Sequence, residues 1–283
     1  MSNNTKGLDF HQTFKPERSC LTSLLASLTE CSGKTVQEIS KIAGIPTGAS
    51  SGKVVPTICY LDYMGLINEQ VSNKQYSLSY TKLGQTVLSE DPGLMEDLTL
   101  TLLHFMLARK TSGAELWSYV FCDLAPKYHN KISKAIIDKE LEMHFGKDVN
   151  LAPFNGAYTG LFEQIGVLSI TGSEYTVLAQ PFNPDFIFLY GLTLYKAWDD
   201  WTNQYTDSEK ESLRISNMEI TDIQLKETGF QGPFGWSQKD EYRILEALHD
   251  KGIVALNRQM SPITIRRIST EEEIIDMLYS ELC

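Results

Sequence analysis

Cysteine is scarce and unpaired in this sequence, which excludes two classes of site. The 283 residues contain five cysteines, an odd number with no Cys-x-x-Cys pair. Disulfide-stabilised domains and structural zinc sites both need paired cysteines. The five histidines are also dispersed, and no two stand two to four positions apart, the spacing that lets one helix hold a metal with two imidazoles. The sequence therefore predicts no metal site, no disulfide framework and a reducing, cytoplasmic location.

Long apolar runs and catalytic motifs are missing as well. No segment approaches the ~20 apolar residues of a membrane span, and the opening MSNNTKGLDF has no apolar stretch, so we expect neither a span nor a secretory signal. Residues 48–53 differ from a phosphate-binding loop, because only three residues separate the glycines and Val54 follows the lysine. Serine-hydrolase, zinc-protease and paired glycine-rich cofactor motifs are absent. The sequence predicts no catalytic residue and no cofactor, hence a non-enzymatic protein.

Positive charge is in short supply outside the first third of the chain. Residues 1–89 carry eight basic and six acidic side chains, a net charge of +2. The remaining residues therefore carry a net charge of −13, which gives the whole chain its −11. Proteins draw much of their affinity for nucleic acids from contacts between basic side chains and phosphates. Only the first third therefore favours DNA, and the acidic remainder is typical of a solubilising or protein-facing surface.

Hydrophobic periodicity predicts three short helices and a hairpin at the start of the chain. Apolar residues at helical spacing mark 19–31 and 53–64, and Thr35 with Glu38 forms the capping box of a helix between them. Two short strands then flank the turn at Asn73-Lys74. This order is the plan of a winged helix-turn-helix, in which the helix before the hairpin enters the major groove.

A short pattern recurs along the chain: a helix end, a glycine, then two apolar residues that begin a strand. It occurs in YLDYMGLI at 60–67, LFEQIGVL at 161–168 and ALHDKGIV at 247–254. Intervals of about 90–100 residues predict repeated modules. We therefore predict a mainly α fold with small β-hairpins. Its predicted domains are a winged helix-turn-helix at 1–92, a helical region with a second winged-helix-like module at 93–206, and a third such module at 207–283.

The first module offers candidate DNA contacts on the helix predicted at 53–64. Its Ile58, Leu61 and Met64 are expected to point inward, leaving the other face for the groove. The predicted DNA-binding residues are Ser51, Gly52, Lys53, Thr57, Tyr60, Tyr63 and Lys74. The helix start would bind a phosphate through backbone N–H groups, and the lysine at the hairpin tip would meet another. The same features also fit a protein-docking unit, because one lysine and two tyrosines make a small recognition face.

Several other chemically prominent residues have structural explanations. His104 lies in the apolar run LLHFMLA, which predicts a core histidine hydrogen-bonded to the backbone. Phe10 and Phe14 flank His11 and predict a segment that docks on the first helices, although a catalytic role for His11 stays open. The adjacent carboxylates at 199 and 200 do not face each other on a helix, so we expect them to be structural.

Three stretches resemble the domain-of-unknown-function 4007 family. They are FHQTFKPERSCL at 10–21, SGKVVPTICYLDYMGLI at 51–67 and TKLGQTVLSEDPGLMEDLTLTLLHFMLA at 81–108. The resemblance covers residues 10–108 in order and spacing, and the rest of the chain more diffusely. Relatives are often encoded beside genes for DNA phosphorothioation or other phage defence. These include sulfotransfer enzymes that resemble phosphoadenosine-phosphosulfate reductase, so the resemblance implies such a protein partner.

Three functional hypotheses follow. The first is a DNA-binding accessory or regulatory protein of a bacterial DNA-modification or anti-phage defence system, with double-stranded DNA as its partner. The second is an acidic adaptor of tandem winged helices that docks on a larger ATPase or modification complex. The third, an unrecognised enzyme, is disfavoured because no nucleophile, base or metal set converges in the sequence.

Overall fold

Short helices and three small antiparallel sheets make up the protein, in a computed structural model that describes residues 7–48, 52–259 and 261–282. The helices are α1 (Arg18–Ala26), α2 (Leu28–Cys31), α3 (Val36–Ala43), α4 (Val54–Tyr63), α5 (Lys82–Glu90), α6 (Asp97–Ala108), α7 (Glu115–Ser118), α8 (Ala125–Lys127), α9 (Lys134–Phe145), α10 (Ala152–Tyr158), α11 (Ile187–Thr202), α12 (Asp207–Leu213), α13 (Asp222–Thr228), α14 (Gln238–Asp250) and α15 (Glu271–Asp276). The strands are β1 (Ile67–Ser72), β2 (Gln75–Tyr80), β3 (Lys131–Ser133), β4 (Leu168–Thr171), β5 (Glu174–Val177), β6 (Glu219–Thr221), β7 (Val254–Asn257) and β8 (Thr264–Arg267). The predicted mainly α fold with small hairpins is confirmed.

The three sheets share one connectivity. Two of them have three strands, in the orders β3-β5-β4 and β6-β8-β7. In the first sheet, β1 pairs with β2, and an isolated bridge from Lys34 to Tyr76 occupies the place of the third strand. Each sheet therefore belongs to a unit that runs in the order short strand or bridge, helix, helix and hairpin. We call these the first unit (34–80), the second unit (131–177) and the third unit (219–267).

Local sequence explains why the units begin and turn alike. In each unit a Ser or Thr at the end of the first strand, or directly after the bridge, accepts a backbone hydrogen bond at the start of the next helix; these caps are Thr35, Ser133 and Thr221. A glycine in the left-handed region then precedes the second strand; these are Gly65, Gly166 and Gly252. The three glycines are those of the recurring sequence pattern.

The long helix α11 connects distant parts of the fold. Thirteen of its residues are buried, and its side chains contact α6, α13, α14 and α15. At its end Asp199 binds Arg267 of β8, with 2.8 Å between the charged atoms, whereas Asp200 binds Arg109 after α6 at 2.7 Å. The adjacent carboxylates therefore point to different partners, which confirms their structural role.

Two segments differ from the sequence prediction. The helix predicted at 19–31 is divided at Ser27, whose hydroxyl donates to the carbonyl of Ser23. Such back-bonding by serine competes with regular helix geometry. The helical region predicted ahead of the second winged-helix-like module contains strand β3 and a π-helical segment (Tyr119–Leu124). Strand β3 was missed because its partner β5 lies some forty residues further along the chain.

The buried apolar side chains form one cluster that runs through all three units. The domain boundaries at 92 and 206 stay a prediction.

None of the helices in the described ranges combines the length and the apolar character needed to cross a bilayer.

Candidate nucleic-acid interface

Helix α4 is the predicted reading helix, and it is enclosed on both sides. It packs against α1 and α3 on one side and against α6 on the other. Thr57, Tyr60 and Tyr63 are only 5%, 1% and 6% exposed. The prediction that these three side chains face outward is therefore wrong. The periodicity identified the face that meets α1 correctly, but α4 also has an apolar environment on its second face.

The N-terminal segment supplies part of that second environment. The ring of Phe10 lies 4.9 Å from Tyr60, 4.8 Å from Tyr63 and 5.9 Å from Trp117, measured between ring centroids. The Tyr60 hydroxyl donates to the carbonyl of Phe14 at 3.0 Å. Burial raises the pKa of Tyr63 to about 12 and also raises the pKa of Tyr60 well above its ordinary value. The docking segment predicted around Phe10 is confirmed.

Lys53, immediately before α4, is already engaged. Its ammonium donates to both carboxylate oxygens of Glu17 at 2.8 Å, and this interaction raises the pKa of Lys53. Its backbone N–H donates to the carbonyl of Pro46 at 3.0 Å. Both the charge of Lys53 and its backbone N–H are therefore already engaged within the protein in this conformation.

Gly52 has a structural reason to be glycine. It forms an antiparallel bridge with Thr47, and a Cβ atom at this position would overlap the Thr47 side chain and backbone. Gly52 is half-buried. Ser51, the remaining predicted contact at this turn, lies outside the described residues.

Lys74 occupies the position predicted for it. Asn73 and Lys74 have φ values of 51° and 64° and form the two-residue turn between β1 and β2, a conformation typical of tight hairpins. The Lys74 side chain is exposed at the tip. Lys34 is exposed on the neighbouring bridge, so two cations flank this hairpin. Of the predicted contacts within the described residues, only Lys74 combines an exposed side chain with a position on a projecting element, and DNA contact by it stays a prediction.

Glu17 is the residue that sequence reasoning missed. It stands at the N-cap of α1, 36 positions from Lys53, and its side chain neutralises the cation that opens α4. An acidic residue just before a helix is ordinary in sequence, so no local signal identified the pairing. The structure does not bring the six predicted residues that it describes together into one exposed surface.

No three His, Cys, Asp or Glu side chains in the described ranges converge as a metal-binding group. The Nε2–H of His104 donates to the carbonyl of Pro233 at 2.7 Å, and its Nδ1 is hydrogen-bonded to the hydroxyl of Tyr158 at 3.0 Å. Its burial lowers its pKa to about 4. The predicted core histidine with a backbone hydrogen bond is confirmed.

Comparison with known proteins gives similarity in fold. No protein family matches the chain, and no curated protein matches it either. Two solved structures are similar over 97% of this chain and 88% of theirs, at 17% identity: a structure of SspB, with a TM-score of 0.68, and a magnesium-bound structure of SspB, with a TM-score of 0.66. The chain therefore has the fold of the SspB structures.

Proposed function

We propose that this protein is a non-enzymatic DNA-binding accessory or regulatory protein of a bacterial DNA-modification system of the phosphorothioation type or of a related anti-phage defence system. The observation that carries the proposal is the unit of strand or bridge, helix, helix and hairpin, which occurs three times. This order is that of winged helix-turn-helix domains, which commonly bind duplex DNA through the second helix and the hairpin. The resemblance to the domain-of-unknown-function 4007 family supports the link to DNA modification.

The direct test is the affinity of the full chain for a fluorescently labelled DNA duplex, measured by anisotropy at 50 and 200 mM salt. A protein that contacts several phosphates loses on the order of tenfold or more in affinity over this range. Absence of binding at 50 mM salt contradicts the proposal.

A variant of the hairpin tip reports on the first unit. Lys74→Glu removes an exposed cation that has no role in the core, so we expect weaker binding and a salt dependence reduced by about one phosphate contact. Lys139→Glu, at an exposed position of α9, is the matched control. Lys53→Glu is a poor probe of DNA contact, because it places two carboxylates together at Glu17.

A second candidate function, a protein-docking adaptor, is favoured by exposed apolar side chains near the third unit. Leu213, Met218 and Ile223 are 55%, 59% and 59% exposed. Contiguous exposed apolar patches mark interaction sites, and these three side chains all fall within residues 213–223 of the chain. An adaptor would ignore DNA at 50 mM salt and would co-purify with a component of the modification complex, so the same binding measurement separates the two functions.

A further inference from the structure

The second helices of the three units differ in what they leave exposed. Helix α4 is buried on both faces, as described above. Helix α10 packs four of its seven residues into the core, and the stem of Lys15 covers Gly156, where a Cβ atom would lie 2.7 Å from the Lys15 Cδ atom. Helix α14 is different, because only Glu241, Ile244, Leu245 and Leu248 among its thirteen residues are buried. Of these three helices, α14 therefore has the broadest solvent-facing surface.

The exposed face of α14 begins with two cations and an aromatic residue. Lys239, Tyr242 and Arg243 lie in its first two turns and are exposed. In helix-turn-helix proteins the contacts to base edges come from the N-terminal residues of the reading helix. The positive end of the helix dipole lies at the same place and favours phosphate.

Most acidic residues of α14 lie away from this face or in an ion pair, and Asp240 is the exception. Asp240 accepts hydrogen bonds from the hydroxyl and the backbone N–H of the N-cap residue Ser237. Glu241 is buried, and Glu246 binds Arg258 of the β7–β8 hairpin with 3.0 Å between the charged atoms. Asp250 is exposed but lies at the opposite end of the helix. The surface charge of the first two turns is therefore set by Lys239 and Arg243 against Asp240, which stays ionised because its hydrogen bonds to Ser237 lower its pKa.

The surroundings of Arg243 form a concave surface beside the helix. Its guanidinium lies 4.8 Å from the ring centroid of Phe182. Phe182, Trp236 and Arg243 line a cavity of about 260 Å³ that also reaches Asp240. Arg266 is exposed on β8 of the adjoining hairpin. Cations on a helix and on a neighbouring hairpin are the arrangement with which a winged unit binds a duplex.

We propose that the third unit, through the exposed face of α14 and the β7–β8 hairpin, is the main double-stranded DNA-binding surface of this protein, with Lys74 of the first unit supplying a single further phosphate contact. Lys239 and Arg243 contact phosphates, and Tyr242 faces the groove between them. This inference rests on the proposed DNA-binding function and assigns it to a surface other than helix α4.

The test compares two double variants of the full chain in the anisotropy assay. Lys239→Gln/Arg243→Gln removes the two cations of α14. Lys139→Gln/Lys210→Gln removes two cations from α9 and α12 and changes the net charge equally. Circular dichroism and thermal melting of both variants establish that each is folded. We expect the α14 variant to bind the duplex on the order of tenfold more weakly, with a log–log salt slope reduced by about two. The control variant is expected to match the wild type.

The outcomes separate this inference from the proposed function. If the wild type binds DNA and the folded α14 variant binds equally well, the assignment to α14 is overturned and the proposed function stands. If both variants weaken binding equally, the effect is one of net charge, and the assignment is again overturned. If the wild type does not bind at 50 mM salt, the proposed function fails and the inference fails with it.

Discussion

The ammonium of Lys53 lies 2.8 Å from both carboxylate oxygens of Glu17. This pair joins the start of α1 to the start of α4, and both side chains are about 30% exposed. The pair also bears on the predicted role of Lys53 as a phosphate contact. The charge of this lysine, which directly precedes α4, is engaged within the protein by Glu17. The residue that the sequence offers as a phosphate contact is, in this conformation, a contact between two helices.

Reversal of this charge is expected to affect stability. Lys53→Glu replaces an attraction with a repulsion between two carboxylates, so we expect it to lower the free energy of unfolding by about 1–2 kcal/mol. The exchange Glu17→Lys/Lys53→Glu restores the attraction and should recover most of the loss. Urea unfolding of both proteins at low salt measures the difference. Equal stability of the single and double variants would show that the pair contributes nothing.

Removal of the Phe10 ring is expected to be costly. Phe10 is buried against Tyr60, Tyr63 and Trp117, and Phe-to-Ala changes in cores cost about 3–5 kcal/mol. Phe14→Ala is the matched control, because that ring is half-buried and should cost less. Denaturant unfolding followed by tryptophan fluorescence provides the measurement. Similar losses for the two variants would contradict the special role of Phe10 in covering α4.

Glu241 is expected to make stability fall as pH rises. Burial raises its pKa to about 7, with Asp222 adding to the effect and Lys226 opposing it. The folded protein therefore holds this proton more tightly than the unfolded chain, whose glutamates titrate near 4.5. The stabilisation of the folded state by protonated Glu241 is fully present below pH 4.5 and is lost as the pH rises through about 7.

Glu241→Gln removes this titration. Relative to the wild type, the variant should gain about 2.5 kcal/mol of stability between pH 5 and pH 8. Thermal melts of both proteins at the two pH values test the expectation. A constant difference between them across this range would show that Glu241 does not titrate in the folded state.

His104 is expected to act in the opposite direction. Its burial lowers its pKa to about 4 from an ordinary value of 6.5, so the folded protein favours the neutral ring. This contribution is complete above pH 6.5 and is lost as pH falls through about 4. His104→Gln should therefore show a weaker loss of stability between pH 6.5 and pH 4 than the wild type, measured by urea unfolding. Parallel pH profiles would contradict this assignment.

Local signals in the sequence predicted much of the fold. Three predicted features that depend only on neighbouring residues are present in the structure. They are the capping box at Thr35, the turn at Asn73-Lys74 and the glycine before each of the three hairpins. Strand β3 was not predictable in this way, because it is defined by pairing with β5. The same holds for Glu17, whose importance depends on a partner in another helix.

The candidate site was less predictable than the fold. Periodicity distinguishes one apolar face of a helix, but it does not reveal a second face that becomes buried by a distant segment. Tyr60 and Tyr63 are polar enough to resemble surface residues, yet Phe10 and Trp117 enclose them. Conversely, Lys239 and Arg243 lie in an acidic part of the sequence, and their availability becomes apparent only when the partners of Asp240 and Glu246 are known.

Hydrogen–deuterium exchange of the full chain, with and without a DNA duplex at 50 mM salt, tests the central claim most directly. The account predicts slower exchange in peptides that cover α14 and the β7–β8 hairpin, with exchange in α4 unchanged because α4 is already enclosed. Protection confined to α4 and its neighbours, with α14 unaffected, would contradict it.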